Sequence, residues 1–134
     1  MNFGILGEAK IAREHVVPAI LNAGHKVTHV GRRIPGQAAL PEIYGNAIET
    51  DYEALINDTS VDAIYNPLPN HLHVPYSIEA LKAGKHVLCE KPVALNLDEL
   101  SQLENAAKDS KAFFYEAFMV RSHPQWHWLK NLDI

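Results

Sequence analysis

The sequence predicts an α/β fold: a doubly wound parallel sheet with helices on both faces, in three α/β/α layers. Three observations predict it. The candidate strands are short apolar runs rather than polar-apolar alternations, as expected of strands covered on both sides. Helical periodicity lies between most of these runs. A glycine-containing turn also follows the first run and leads into a helix.

The runs are Phe3 to Leu6, Val27 to Val30, Ala63 to Tyr65, His86 to Cys89 and Ala112 to Tyr115. From Ala9 to Ala23, Ile11, Val16, Ile20 and Ala23 recur at helical spacing, and Pro18 must kink this segment or start a fresh turn. Pro35, Gly36, Pro41 and Gly45 punctuate the stretch from Ile34 to Gly45, where the βαβαβ order still favours a short helix, with a small strand near Ala47 and Ile48. Thr50-Asp51-Tyr52-Glu53 has the form of a capping box with its hydroxyl at the cap. Pro75 suits a first helical position, and Gly84 can close that helix in the left-handed conformation. Asn96 is a cap for a helix through Ala107, with Leu97, Leu100, Leu103 and Ala107 as its buried stripe. No internal repeat or low-complexity tract interrupts this order.

Composition bounds the function. With 134 residues, 47% hydrophobic and 21% charged, the chain has the makings of one packed core. A net charge of -4, with no Lys/Arg run longer than two, argues against nucleic acid as a partner. The start, Met1-Asn2-Phe3-Gly4, has neither the basic region of an export signal nor a membrane-length apolar stretch, so a cytoplasmic protein is expected, with no membrane partner. The single cysteine, Cys89, reads as a small apolar filler of a buried strand.

In the usual strand order 3-2-1-4-5-6, the chain reverses direction between strands 1 and 4 and opens a crevice at their carboxyl ends. Three chemically unusual loops should meet there. In Gly7-Glu8-Ala9-Lys10-Ile11-Ala12, Gly7 provides the tight turn, Ala9 lets the backbone approach a pyrophosphate, and Ala12 packs the helix close to the sheet. The amides at the start of that helix, around Lys10 and Ile11, would meet phosphates. These are the marks of a Rossmann-type dinucleotide site.

After the second strand stand Gly31-Arg32-Arg33, with no acid before Glu42, where an NAD site commonly holds a carboxylate for the ribose. Arg32 and Arg33 would grip a 2′-phosphate instead, which favours NADP(H) and leaves NAD(H) as the alternative. The loop Asn66-Pro67-Leu68-Pro69-Asn70-His71-Leu72-His73 is stiffened by its prolines and offers Leu68, Asn70, His71 and His73 to the cofactor. His71 and His73 lack a third ligand at recognisable spacing, so no metal is expected. In Glu90-Lys91-Pro92, proline holds Lys91 extended so that its ammonium can reach the crevice and exchange a proton with a substrate hydroxyl as hydride moves. Glu90 can hold Lys91 or a cofactor amide in place.

With these residues in view, the chain resembles the amino-terminal half of the Gfo/Idh/MocA family, the glucose-fructose oxidoreductases and inositol dehydrogenases. The likeness runs from Phe3 to Gly7, through Pro67 to His73 and Ala83 to Pro92, to Glu116-Ala117-Phe118-Met119-Val120-Arg121-Ser122-His123-Pro124. That last stretch is similar to the branch of NADP-dependent xylose and dihydrodiol dehydrogenases. The resemblance implies an NAD(P)-dependent oxidoreductase of CH-OH groups acting on a sugar, polyol or dihydrodiol. Lys91 would be catalytic, and Glu90 and His71 would line the nicotinamide pocket. Two departures from the family pattern stand out: Ala9 replaces a common glycine, and Gly31 stands where a small hydroxyl residue often helps hold phosphate. The family continues into a second domain that carries the rest of the catalytic set and usually the dimer interface. Residues 1–121 are therefore expected to form the dinucleotide-binding domain and 122–134 to begin the second, with homo-oligomers expected only when that domain is present. The chain alone is expected to bind cofactor weakly and to turn over no sugar. Two other readings compete: a non-catalytic NAD(P)-sensing regulator of the same fold, and a methyltransferase, which would want an acid at the end of strand 2.

Overall fold

A computed structural model describes residues 1–132. The strands are β1 (Asn2–Leu6), β2 (Lys26–Gly31), β3 (Ile48–Thr50), β4 (Ala63–Asn66), β5 (His86–Cys89) and β6 (Phe114–Glu116). They form one six-stranded sheet in the order β3-β2-β1-β4-β5-β6, with every pairing parallel. The reversal falls between β1 and β4, as the sequence predicts. β4 is buried along its whole length, which explains why its run shows no alternation.

The segment after β1 becomes a widened π-type turn over Ala12–Val16, continued by α1 (Val17–Asn22) with Pro18 in its first turn. A proline cannot donate to the carbonyl four residues back and its ring crowds that carbonyl; here the Val17 N–H reaches Ala12 instead. Helix α2 (Tyr52–Asn57) follows β3, and its cap is Asp51, whose carboxylate accepts from the Ala54 N–H at 2.7 Å. The expected Thr50 box is thus displaced by one residue, because Thr50 pairs with Gly31 as the last residue of β3. Helix α3 (His73–Lys82) starts two residues before Pro75, after a 3₁₀ turn over Asn70–Leu72, and ends at Gly84, whose φ is +76°. Helix α4 (Leu97–Asp109) is capped by Asn96, which accepts from the Glu99 N–H at 2.8 Å. Leu103 lies in the core, but Leu97 faces solvent, so the predicted stripe begins one turn later. The expected helix over 34–45 shrinks to a 3₁₀ turn, Glu42–Tyr44, since Pro35 and Pro41 lack the N–H a helix needs and Gly36, at φ +79°, lies outside the helical region. A last helix, α5 (Pro124–Lys130), follows a 3₁₀ turn at Met119–Ser122.

Two apolar cores flank the sheet. One gathers Leu6, Leu55, Ile64, Val74, Leu81, Val87 and Leu103 beneath α2, α3 and α4. The other gathers Ile5, Ala12, Val17, Ile20, Val30 and Tyr65 beneath α1. The second layer is narrower than the first: Tyr115 of the edge strand β6 remains exposed, as do Phe113 beside it and Met119, Trp126 and Trp128 beyond. Lys85 is buried because its ammonium donates to the carbonyls of Asp58 and Val61, at 2.6 and 2.7 Å, tying the end of the α2 segment to the start of β5.

Cys89 is fully buried, and burial pushes its thiol up to about 12. An unfolded thiol ionises from about pH 8.5, so this group opposes folding progressively as pH rises from there toward its native value, and contributes nothing of the kind below. The native chain is expected to show no reaction with a disulfide reagent at pH 8 and one full equivalent in denaturant. Rapid labelling of the folded protein would contradict this placement.

Candidate nucleotide-binding cleft

The ends of β1, β2, β4 and β5 bring the three loops to one edge. Gly7 turns the chain out of β1 with φ +79°, and a Cβ there would stand 3.2 Å from Leu68 Cδ2. Only glycine takes this conformation without strain, and its missing side chain leaves a cradle between the first and second loops. Leu68 is buried beneath it, and Ala9 opens the helical turn by accepting from the Arg13 N–H at 3.2 Å. Ala12 is buried against the sheet. Ile11 is half-buried, whereas Lys10 extends into solvent beside Glu14 at 3.9 Å. Gly31 has its own constraint: an added Cβ would lie 2.9 Å from Tyr52 and 3.2 Å from Leu55, so the hydroxyl residue expected from the family pattern has no room here.

Gly7, Glu8, Arg32, Arg33, Gln37 and Tyr52 line a cleft of about 360 Å³ at this edge. A larger recess, about 600 Å³, lies between α2 and α3 around Glu53, Tyr76 and Glu79, away from the strand ends, and gathers none of the predicted site residues. Within the cleft, Arg32 and Arg33 differ. Arg32 is clasped: Glu8 accepts from its Nε at 2.5 Å and forms an ion pair with Nη2 at 2.5 Å, Glu49 accepts from Nη1 at 2.9 Å, and the Ala38 and Ala39 carbonyls accept from Nη1 and Nη2. Burial alone would lower the Arg32 pKa, but the bonds to Glu49 and Glu8 outweigh it and hold it above its ordinary value. The Gly36 N–H, then Arg32, keeps the Glu49 carboxyl below the usual range. Arg33 is exposed, and its guanidinium has no hydrogen bond or ion pair among the described residues.

The second and third loops are locked together by His73. Its ring nitrogens stand 2.6 Å from the Leu68 carbonyl and 2.8 Å from that of Pro92, and the residue is fully buried. It therefore joins the loops from inside and does not face the cleft, contrary to the cofactor contact expected from sequence. Asn66 assists, donating to the His73 carbonyl at 3.0 Å and accepting from the Leu68 N–H at 3.3 Å. Asn70 and His71 lie exposed on the 3₁₀ turn.

Glu90 is buried at the end of β5, where the Tyr65 hydroxyl donates to Oε1 at 2.7 Å and the Lys91 N–H lies 3.4 Å from Oε2. Burial, then this bond, raises the Tyr65 pKa, so Tyr65 stays a donor. Glu90 thus holds Lys91 by its backbone and leaves the side chain exposed, with no partner to its ammonium among the described residues. The Lys91-Pro92 peptide is cis. Sequence reasoning missed Glu8, Glu49, Tyr52 and Tyr65. For Tyr65 a signal existed, since a tyrosine in a buried strand must find a partner for its hydroxyl. Among the described residues, no group of three or more His, Cys, Asp or Glu could hold a metal ion, and no helix is long and apolar enough to cross a membrane.

A glycine cradle at a switch point, two arginines at the end of the second strand and a lysine at the end of the fifth define a dinucleotide-binding domain of the Rossmann class. Residues 1–118 match the model of the Gfo/Idh/MocA oxidoreductase family, NAD-binding Rossmann fold, and the chain belongs to that family. It is 42% identical over 134 residues to an uncharacterised oxidoreductase of Rhizobium meliloti, covering 94% of this chain and 39% of the relative. It is 39% identical over 131 residues to a D-xylose 1-dehydrogenase (NADP(+)) of Haloferax volcanii, covering 92% and 39%. The crystal structure of a 3-ketoreductase from Actinomadura kijaniata in complex with TDP-benzene and NADP superposes with a TM-score of 0.87 at 34% identity, over 96% of this chain and 42% of that one. The chain thus spans about two-fifths of the length of the curated relatives it matches.

Proposed function

We propose that this chain is the nucleotide-binding half of an oxidoreductase that interconverts a hydroxyl and a carbonyl on a sugar, polyol or dihydrodiol, with NADP(H) favoured over NAD(H). The observation that carries this reading is the exposed Lys91, its backbone held by Glu90 at the carboxyl end of β5, two strands along the sheet from the Gly7 turn at the end of β1. The dinucleotide, when bound, supplies or accepts the hydride at its nicotinamide ring. The chain's own residues do the rest. Gly7, Ala9 and the amides around Lys10 and Ile11 receive the pyrophosphate, and Ala12 keeps that helix start close to the sheet. Leu68 floors the crevice, Asn70 and His71 stand at its nicotinamide end, and Arg33 meets the adenosine 2′-phosphate.

In the reducing direction the Lys91 ammonium gives a proton to the substrate carbonyl oxygen as hydride reaches its carbon; in the oxidising direction the neutral amine takes that proton back. Residues from about 122 onward begin a second domain that brings the substrate and covers the apolar surface around Tyr115, Trp126 and Trp128. The last two residues of that segment lie outside those described. The D-xylose dehydrogenase and the NADP-bound 3-ketoreductase support both the reaction class and the phosphorylated cofactor.

Cofactor titration followed by nicotinamide fluorescence tests the reading. The chain is expected to bind NADPH, and Arg33→Ala to weaken that binding about tenfold, which corresponds to about 1.4 kcal/mol. NADH binding should change by no more than about twofold, since it lacks the group Arg33 meets. Equal losses for both cofactors would remove Arg33 from the 2′-phosphate site.

A further inference from the structure

We propose that Glu8 is the residue that sets cofactor choice in this cleft, by occupying on Arg32 the place that a 2′-phosphate would take. The inference rests on the dinucleotide reading above and adds to it a carboxylate from the loop after β1. Arg32 stands where an arginine would grip the phosphate. A guanidinium has five N–H donors, and those of Arg32 are shared among Glu8, Glu49 and the carbonyls of Ala38 and Ala39. Four donors are hydrogen-bonded to four oxygens, and the remaining edge of Nη2 faces Glu8 Oε2 at 2.5 Å, so a phosphate can reach Arg32 only by displacing a partner.

The partners are not equally displaceable. Glu49 belongs to β3 and also accepts from the Gly36 N–H at 2.8 Å, so it is fixed from two sides. The carbonyls are main chain. Glu8 lies in the loop after β1, and Arg32 is the sole hydrogen-bonding partner of its carboxylate among the described residues. It is therefore the group that yields. Both Arg32 contacts fall on Oε2. Oε1 thus remains an acceptor, in a residue that lines the cleft.

A ribose 2′-hydroxyl can donate to that oxygen with the clasp intact, which is the service an acid at the end of the second strand ordinarily gives to NAD(H). A 2′-phosphate finds a carboxylate there and is repelled until Glu8 swings away, after which Arg32 and Arg33 both face it. Glu8 thereby permits NAD(H) in its resting position and taxes NADP(H), restraining a preference that the two arginines alone would make strong.

NADPH and NADH titrations of the 134-residue chain and its Glu8→Gln form test this. The amide keeps the size of Glu8 but not its charge. The dissociation constant for NADPH is expected to fall about fivefold and that for NADH to rise about threefold, opposite movements that loss of folding cannot produce. Glu8→Asp, which retains the charge on a shorter arm, should leave NADPH binding within about twofold of the parent. A reading that needs no cofactor is the Arg32 Nε–H signal, which should exchange faster with water in Glu8→Gln once its carboxylate partner is gone. NADPH binding unchanged in Glu8→Gln overturns the role of Glu8 and leaves the dinucleotide reading standing. Failure of the parent chain to bind either cofactor overturns both.

Discussion

Replacing Lys91 by methionine is expected to lower kcat of the complete oxidoreductase by about 10²- to 10⁴-fold, the range for losing a positioned proton donor, while NADPH affinity stays within about threefold. Methionine keeps the length and flexibility of the side chain and removes only the titratable nitrogen. Lys91→Arg should fare little better, because a guanidinium keeps its proton throughout the working range and cannot pass it to a carbonyl oxygen. The local structure should survive both changes: Lys91 is exposed, its ammonium has no partner among the described residues, and Glu90 is held by the Tyr65 hydroxyl independently of it. The substitution therefore separates chemistry from binding. Turnover in the methionine variant close to that of the parent would move Lys91 out of the reaction and favour a nucleotide-sensing role for this domain.

The parallel sheet and its order were legible because each strand is a short apolar run bounded by turn residues, and right-handed crossovers then leave few ways to arrange such runs. The place of Lys91, exposed just past the end of β5, was legible because a proline after a lysine at a strand end is a strong local constraint. Other features depend on what lies across the fold. Thr50 looks like a helix cap until its backbone is seen to pair with Gly31. Leu97 fits the apolar stripe of α4 by spacing, yet the helix begins where the core no longer reaches it. Arg32 reads as a free phosphate ligand only while Glu8 and Glu49, far from it in sequence, are out of view. No acid follows the second strand before Glu42, and the carboxylate that meets Arg32 in the cleft comes from the loop after the first, at Glu8.

His73 provides the sharpest contrast between a residue's position in the sequence and its work in the fold, and it carries a large effect. In the motif it sits two places from His71 and looks equally available to a cofactor. In the structure its ring lies between the Leu68 and Pro92 carbonyls, so it pins the loop after β4 to the loop after β5. His73→Phe preserves most of the ring volume but removes the ring N–H, leaving a buried carbonyl without its donor. A loss of this kind costs about 1–3 kcal/mol, so destabilisation of about 2 kcal/mol is expected. For a domain of this size that lowers Tm by about 7 °C, measured by circular dichroism or calorimetry. Lys91 stands on one pinned loop and Leu68 on the other, so NADPH binding should weaken only as far as the loops loosen. An unchanged Tm with a large loss of NADPH affinity would reverse this assignment and make His73 a direct ligand. A lowered Tm that NADPH largely restores is the expected result, because cofactor bound to the native state stabilises the loops that His73 no longer joins.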